Sequence, residues 1–265
     1  MSENRDCVEG LPFQVESRAL LSILERELDD LERQLGLEIS GTSSHLIHIR
    51  ALAHGESTAF NKILVCCARL QLRTYYFLEP GQSEARKFGI IKAFYTASTL
   101  ISTLTAEPAV HITRNGPSYV YRMLIVGANV VLKVLHSNYV RYVDFEIGKQ
   151  LYNSSIALLK HSSIVKNDLS ERASVIQAQV WTIHANDSSR CSEEPYLRIR
   201  SRSVANVFYD SLWLWREEVE ASGRRASNTL GSSDRPSGSF LYIPHPCCRQ
   251  ADLTYLSDAH FTVFR

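Results

Sequence analysis

The sequence predicts an all-α protein built as an irregular multi-helix domain. Apolar residues recur at three- and four-residue spacings through successive stretches, and Gly, Pro or capping residues stand at the breaks. No strand–turn–helix alternation appears, which argues against a doubly wound α/β fold. No fixed-period self-similarity points to a repeat array either. With 265 residues, 45% of them hydrophobic, the chain can bury one substantial core. Its organisation reads as a polar N-terminus over 1–16, a helical domain over 17–220 and an irregular tail over 221–265.

The first helix should run from Ser17 to Gly36, with leucines at 20, 24, 28, 31 and 35 forming one apolar stripe and Gly36 as its C-terminal stop. The opposite face, "ERELDDLERQ", reads as a solvated run of alternating charges. The second, Ser57 to Leu78, places Phe60, Ile63, Leu64, Cys67, Leu70 and Tyr75 inward and closes at Pro80-Gly81. The third, Glu84 to Thr105, uses Phe88, Ile91, Phe94, Tyr95, Leu100 and Leu104. The fourth, Ser118 to Ser137, is apolar nearly all round and so should be the central one; Pro117 suits its first turn and Asn115 its cap.

The fifth helix, Asp144 to Lys160, should bury Phe145, Ile147, Leu151, Ile156 and Leu159. The sixth opens with Asp168 and Glu171 in a capping-box pattern, followed by Leu169, Ala173, Ile176, Val180 and Ile183 at helical spacing. The seventh, Ile199 to Glu220, uses Val204, Phe208, Leu212, Trp215 and Val219. Beyond it, "ASGRRASNTLGSSDRPSGS" is too poor in apolar residues to form a core, and the last residues match no helical template.

Charge and motifs exclude more than they assign. The net charge is +1, so no overall basic surplus favours direct DNA binding. The N-terminus has no apolar signal-peptide core, and the run from Met123 to Leu135 is short for a membrane span and interrupted by Asn129 and Lys133. Cysteines at 7, 66, 67, 191, 247 and 248 lack the spacing of a secreted disulfide framework, so a reducing, intracellular compartment is expected.

Candidate chemistry reduces in most places to packing. His45, His48 and His54, like His245 with Cys247 and Cys248, hold metal-type side chains without metal-site spacing. Cys66 and Cys67 fall on an apolar helical run and read as core. No nucleophile elbow, phosphate loop, dinucleotide turn or zinc-protease helix is present, so no catalytic residue is assigned and the chain is expected not to be an enzyme. Arg198, Arg200, Arg202 and Arg216 share their segment with Asp210, Glu217 and Glu218, which should pair with them. Lys133 and His136, on the otherwise apolar fourth helix, each need a partner. That partner is either another side chain of the protein or a bound ligand, and in the second case the two mark the candidate ligand pocket.

Four segments together carry a resemblance: "ARLQLRTYYFLEP", "YVYRMLIVGANVVLKVLHSNY", "VKNDLSERASVIQAQVW" and "LRIRSRSVANVFYDSLWLWREE". Over about Ser17 to Glu220 the chain resembles the regulatory middle homology region of fungal zinc-cluster transcription factors, in the branch of the leucine-pathway and weak-acid-response activators. The resemblance implies an all-helical regulatory region in the nucleus, with the cytoplasm as an alternative for a truncated form. It implies no chemistry of the region's own. In that family a separate module reads DNA, with six cysteines holding two zinc ions. The cysteines here contain no CxxC pair, so that cluster is not expected within this chain, and neither is a cofactor. The chain is then expected to be part of a longer product or a diverged relative without DNA-binding function. The implied partners are proteins, including a second copy or an intact homologue, and a small-molecule effector. No DNA and no membrane are expected as partners. A second reading is a stand-alone helical scaffold that acts as a dominant-negative partner.

Overall fold

The computed structural model describes residues 15–36, 55–79, 82–106, 112, 116–186, 193–195, 197–198 and 206–229; at 15–17, 55–58 and 222–229 it describes the backbone alone. Among the described residues all regular structure is helical. The helices are α1 (Val15–Gln34), α2 (Gly55–Arg73), α3 (Glu84–Thr105), α4 (Ser118–Leu135), α5 (Phe145–His161), α6 (Leu169–Asn186) and α7 (Asn206–Thr229). Short 3-10 turns extend α2 at Thr74–Leu78 and follow α4 at Asn138–Tyr142. The described residues up to Glu218 form one compact unit. Of the second unit, which begins at Val219, the described part is the continuing backbone of α7.

α4 is the axis of the core, as its all-round apolarity predicts. From Val120 to Leu135 every residue but Arg122 is buried, Leu124, Val130, Val131 and Leu132 completely. α4 has the length and apolarity of a membrane span, yet 83% of it is buried inside this helical unit, as befits a core helix. α2, α3 and α5 pack around it, contributing Ile63 and Leu70, Ile90, Leu100 and Leu104, and Tyr152 and Leu159. Each fully buried leucine or isoleucine contributes about 2 kcal/mol of transfer free energy. Gly89 is where α3 passes the Tyr76 ring; a Cβ there would overlap it.

Local chemistry sets the helix ends. Gly36 has φ +63°, the left-handed stop expected after α1. The Ser83 Oγ accepts from the Arg86 amide at 3.0 Å to start α3, and the Asp144 Oδ1 accepts from the Ile147 amide at 2.9 Å to start α5. Pro117 is the residue before α4 rather than in its first turn, with an extended ψ of 140°. Asn115, Pro80-Gly81 and residues 199–205 lie outside the described residues.

Several inward assignments are corrected. The α1 leucines are not a core stripe: Leu20, Leu24, Leu31 and Leu35 are exposed, and Leu21 is the buried one. The charged face holds α1 down instead. Glu25 accepts from Arg73 at 2.9 Å, and Asp29 and Glu32 accept from Arg69 at 2.6 and 2.9 Å. Phe88, Tyr95, Phe145, Ile147 and Leu169 are also exposed. On α3 the expected Phe94, Leu100 and Leu104 are buried, but Ile90, Ala93 and Ala97 complete the inward line in place of Phe88 and Tyr95, while Lys92 covers the Phe88 ring at 4.8 Å.

Candidate functional site

Asn129 and Lys133 on α4 and His136, the residue that caps its end, follow one another at spacings of four and three along one side of the most buried helix. The neighbours that meet this face also turn polar groups inward. α6 buries Gln177 and His184 together with Ala173 and Val180, and α7 buries Asn206, Asp210 and Ser211 around Val207. The result is a polar seam inside an apolar core.

Lys133 is answered by Asp210. Its Nζ donates to Asp210 Oδ2 at 2.5 Å, with both side chains less than a tenth exposed. The other oxygen, Oδ1, accepts from the Arg198 backbone amide at 2.6 Å. Two charges held this far from water need each other, and removing either leaves the partner buried and unpaired. Asp210 thus answers a lysine of α4 as well as the backbone of its own segment. The Arg198 guanidinium goes to Glu217 at 2.8 Å, at the surface, while Arg200 and Arg202 lie outside the described residues.

His136, one turn further on, sits in an aromatic nest. Its ring meets Trp181 edge-on with centroids 4.8 Å apart, and the His184 ring lies 5.4 Å away. Its Nε2 is buried without a hydrogen-bond partner among the described residues. Burial pushes the imidazole down to about 4, so it is neutral at physiological pH. Trp181 also stacks near Tyr152 at 5.1 Å, and the Tyr152 hydroxyl donates to the Gln177 carbonyl at 2.8 Å. The Trp215 indole donates to Gln179 Oε1 at 2.6 Å, tying α7 to α6. Asn129 turns its amide back to the Ile125 carbonyl at 2.8 Å and leaves its own Oδ1 unpartnered.

The residues ahead of α7 form a strap over the same region. Buried Arg86 of α3 donates to Glu194 Oε2 and to the Pro195 carbonyl, both at 2.7 Å. The Asn138 amide donates to the Glu193 carbonyl at 2.8 Å, and Leu197 plugs into the core at 1% exposure. Three separate ties thus run from the strap to α3, to the turn after α4 and to α7. Ties of this kind hold the helices in one packing, because a satisfied buried polar network specifies its own geometry.

Regulatory protein LEU3 of Saccharomyces cerevisiae is 25% identical to this chain over 257 residues, covering 82% of the chain and 27% of that protein. The transcriptional regulatory protein SEF1 of Candida albicans is 24% identical over 239 residues, covering 84% of the chain and 23% of that protein. The chain is a relative of fungal transcription regulators. It spans about a quarter of the length of these relatives. No family model and no solved structure matches it.

Sequence reasoning singled out two residues of the seam. Lys133 and His136 stood out as polar groups on an apolar helix. Gln177, His184 and Asp210 did not, because each stands beside an apolar residue of the same helical repeat; the available signal was the run of small and polar residues at Ala173, Ser174, Gln177 and His184. Cys66 and Cys67 are core residues, as expected, with the Cys67 thiol raised by burial to about 12 and therefore protonated. His45, His48, His54, His245, Cys247 and Cys248 lie outside the described residues, and no cluster of three metal-binding side chains occurs among the described ones.

Proposed function

We propose that this chain is the regulatory region of a fungal transcription regulator, acting through conformation and contact rather than catalysis. The observation that carries the reading is its similarity to two fungal regulators along more than four-fifths of its own length. The +1 net charge supports a region that leaves DNA reading to a module outside it, and the nucleus is then its place of action. On this reading an effector or protein partner binds one packing of α4, α6, α7 and the strap better than another, and the difference in affinity sets transcriptional output. A small effector would act near Lys133 and His136. There His136 Nε2 and Asn129 Oδ1 are polar atoms without a partner among the described residues, and the Lys133–Asp210 pair is the contact to be competed for.

The test fuses the full chain to an unrelated DNA-binding module in budding yeast and follows a reporter across nitrogen and carbon sources. Output that differs from the bare module and shifts with nutrient supports the reading, provided that the shift is lost in His136→Phe while the protein level is unchanged. Output indistinguishable from the bare module under every condition would refute a regulatory role. A shift that survives in both His136→Phe and Lys133→Met would remove the effector from the seam.

A further inference from the structure

The leucine stripe of α1 was expected to be core and is not. The reason is a rotation of the helix about its axis. The carboxylates of Glu25, Asp29 and Glu32 face Arg73 and Arg69 of α2, and satisfying these ion pairs turns the leucines sideways. Leu24, Leu28 and Leu31 then form one wall of an open groove of about 570 Å³. Ala68, Leu72 and Tyr75 of α2 form the other wall. Leu24 and Leu31 remain 37% and 41% exposed, and Leu20, Ile23 and Leu35 extend the same apolar strip beyond the groove at 56%, 51% and 44%.

An apolar strip of this length is more than the scattered surface leucines of an ordinary monomer. Leu21, Leu24, Leu28, Leu31 and Leu35 are spaced three, four, three and four, the seam spacing with which one helix receives another. The charge around the groove narrows the occupant. Glu27 and Asp30 are the charged residues in its lining, and no Lys or Arg is among them. Asp30 is held by Arg33 of its own helix, which leaves Glu27 as the carboxylate on the rim without an ion pair among the described residues. A second copy laid into the groove would bring Glu27 towards another acidic rim. A helix flanked by Lys or Arg would meet an opposite charge.

We propose that the α1/α2 groove is a docking site for a basic amphipathic helix of a protein partner. The partner's leucine-type stripe fills the space between Leu24, Leu31 and Leu72, and its cationic flank faces Glu27. This is helix-in-groove recognition, with anchors at i, i+3 or i+4 and i+7. The site lies apart from the seam of α4, α6 and α7 and does not depend on the regulatory reading.

The test uses the full chain and two fluorescent helical peptides with the same leucine heptads, one flanked by lysines and the other by glutamates. The lysine peptide is expected to bind up to about fivefold more tightly than the glutamate peptide at low salt, with the preference shrinking as salt rises. Glu27→Lys should remove up to about fivefold of that preference. Leu24→Ser with Leu31→Ser should abolish binding while lowering the circular-dichroism melt by no more than a few degrees, because both side chains are about two-fifths open to solvent and lie outside the core around α4. Equal binding of the two peptides, or binding that the serine variant retains, overturns the proposal. So does a concentration-dependent dimer of the unmodified chain that the serine variant loses, which would make a second copy the occupant.

Discussion

At the scale of single residues, His136 is the group whose environment has the clearest thermodynamic consequence. Its imidazole titrates near 4 in the fold because burial disfavours the charged form, against an ordinary value of 6.5. The unfolded chain therefore takes up a proton that the folded chain refuses. Its contribution to stability is whole above about pH 6.5, declines as pH falls from 6.5 towards 4, and levels below that. The total is on the order of 3 kcal/mol. His136→Phe keeps an aromatic ring against Trp181 and removes both the titration and the orphaned Nε2. Urea unfolding of the variant between pH 7 and pH 4 should thus be flatter than that of the natural chain, and no less stable at pH 7. A variant whose pH slope matched that of the natural chain would place the acid sensitivity elsewhere.

At the scale of elements, the start of α6 and the docking of α1 rest on different physics. Asp168 Oδ1 accepts from the Glu171 amide at 2.9 Å and Oδ2 from the Ile164 amide at 2.8 Å, which holds its carboxyl down at about 2. The Glu171 side chain completes the box on the Asn167 amide, one residue earlier than the sequence pattern suggests. Because the folded value lies below the usual 3.8, the cap stabilises above about pH 4 and is lost as pH falls through about 2. Asp168→Ala should lower Tm by a few degrees at pH 7, with the difference from the natural chain closing over that window. α1 is instead held by Arg69 and Arg73 across part-exposed ion pairs. Raising NaCl from about 0.05 to about 0.5 M should therefore speed amide exchange in α1 while α4 stays protected. The same contrast explains what could be read in advance. Helix existence and several ends were legible because caps and stops such as Asp144, Asp168 and Gly36 are local chemistry, but α7 runs on to Thr229, past the Glu220 end and into the stretch that composition marks as a linker. Which face of α1 points inward was not legible, because a periodic leucine stripe says nothing of Arg69 and Arg73, some forty residues away, and those charges decide the rotation.

At the scale of the whole molecule, the unit is apolar around α2 to α5 and is closed by polar ties to its last third. Sequence periodicity reveals the first part, since Leu124 or Leu132 has nowhere else to go. It cannot reveal that Asp210 crosses 77 positions to Lys133, or that Arg86 crosses 108 to Glu194, because pairing at such separations is set by the fold. If these ties fix one packing, the energetic signature is strong coupling rather than large net stability. Lys133→Met and Asp210→Leu should each cost about 3–5 kcal/mol, since each strands a buried charge, and the double variant should recover most of that loss. Hydrogen exchange separates the two consequences. In the single variants α7 should exchange faster than α3 and α4, as its anchor is lost while the apolar core persists. In the double variant protection of α7 should return, although an apolar pair gives the strap no substitute for the carboxylate that binds the Arg198 amide. Residues 197–198 should then stay loose beside a restored α7, which would make the pair an alignment device with the strap as its dependent. If the strap recovered with α7, its order would come from Arg86 and Leu197 instead, and the seam would act on α7 alone.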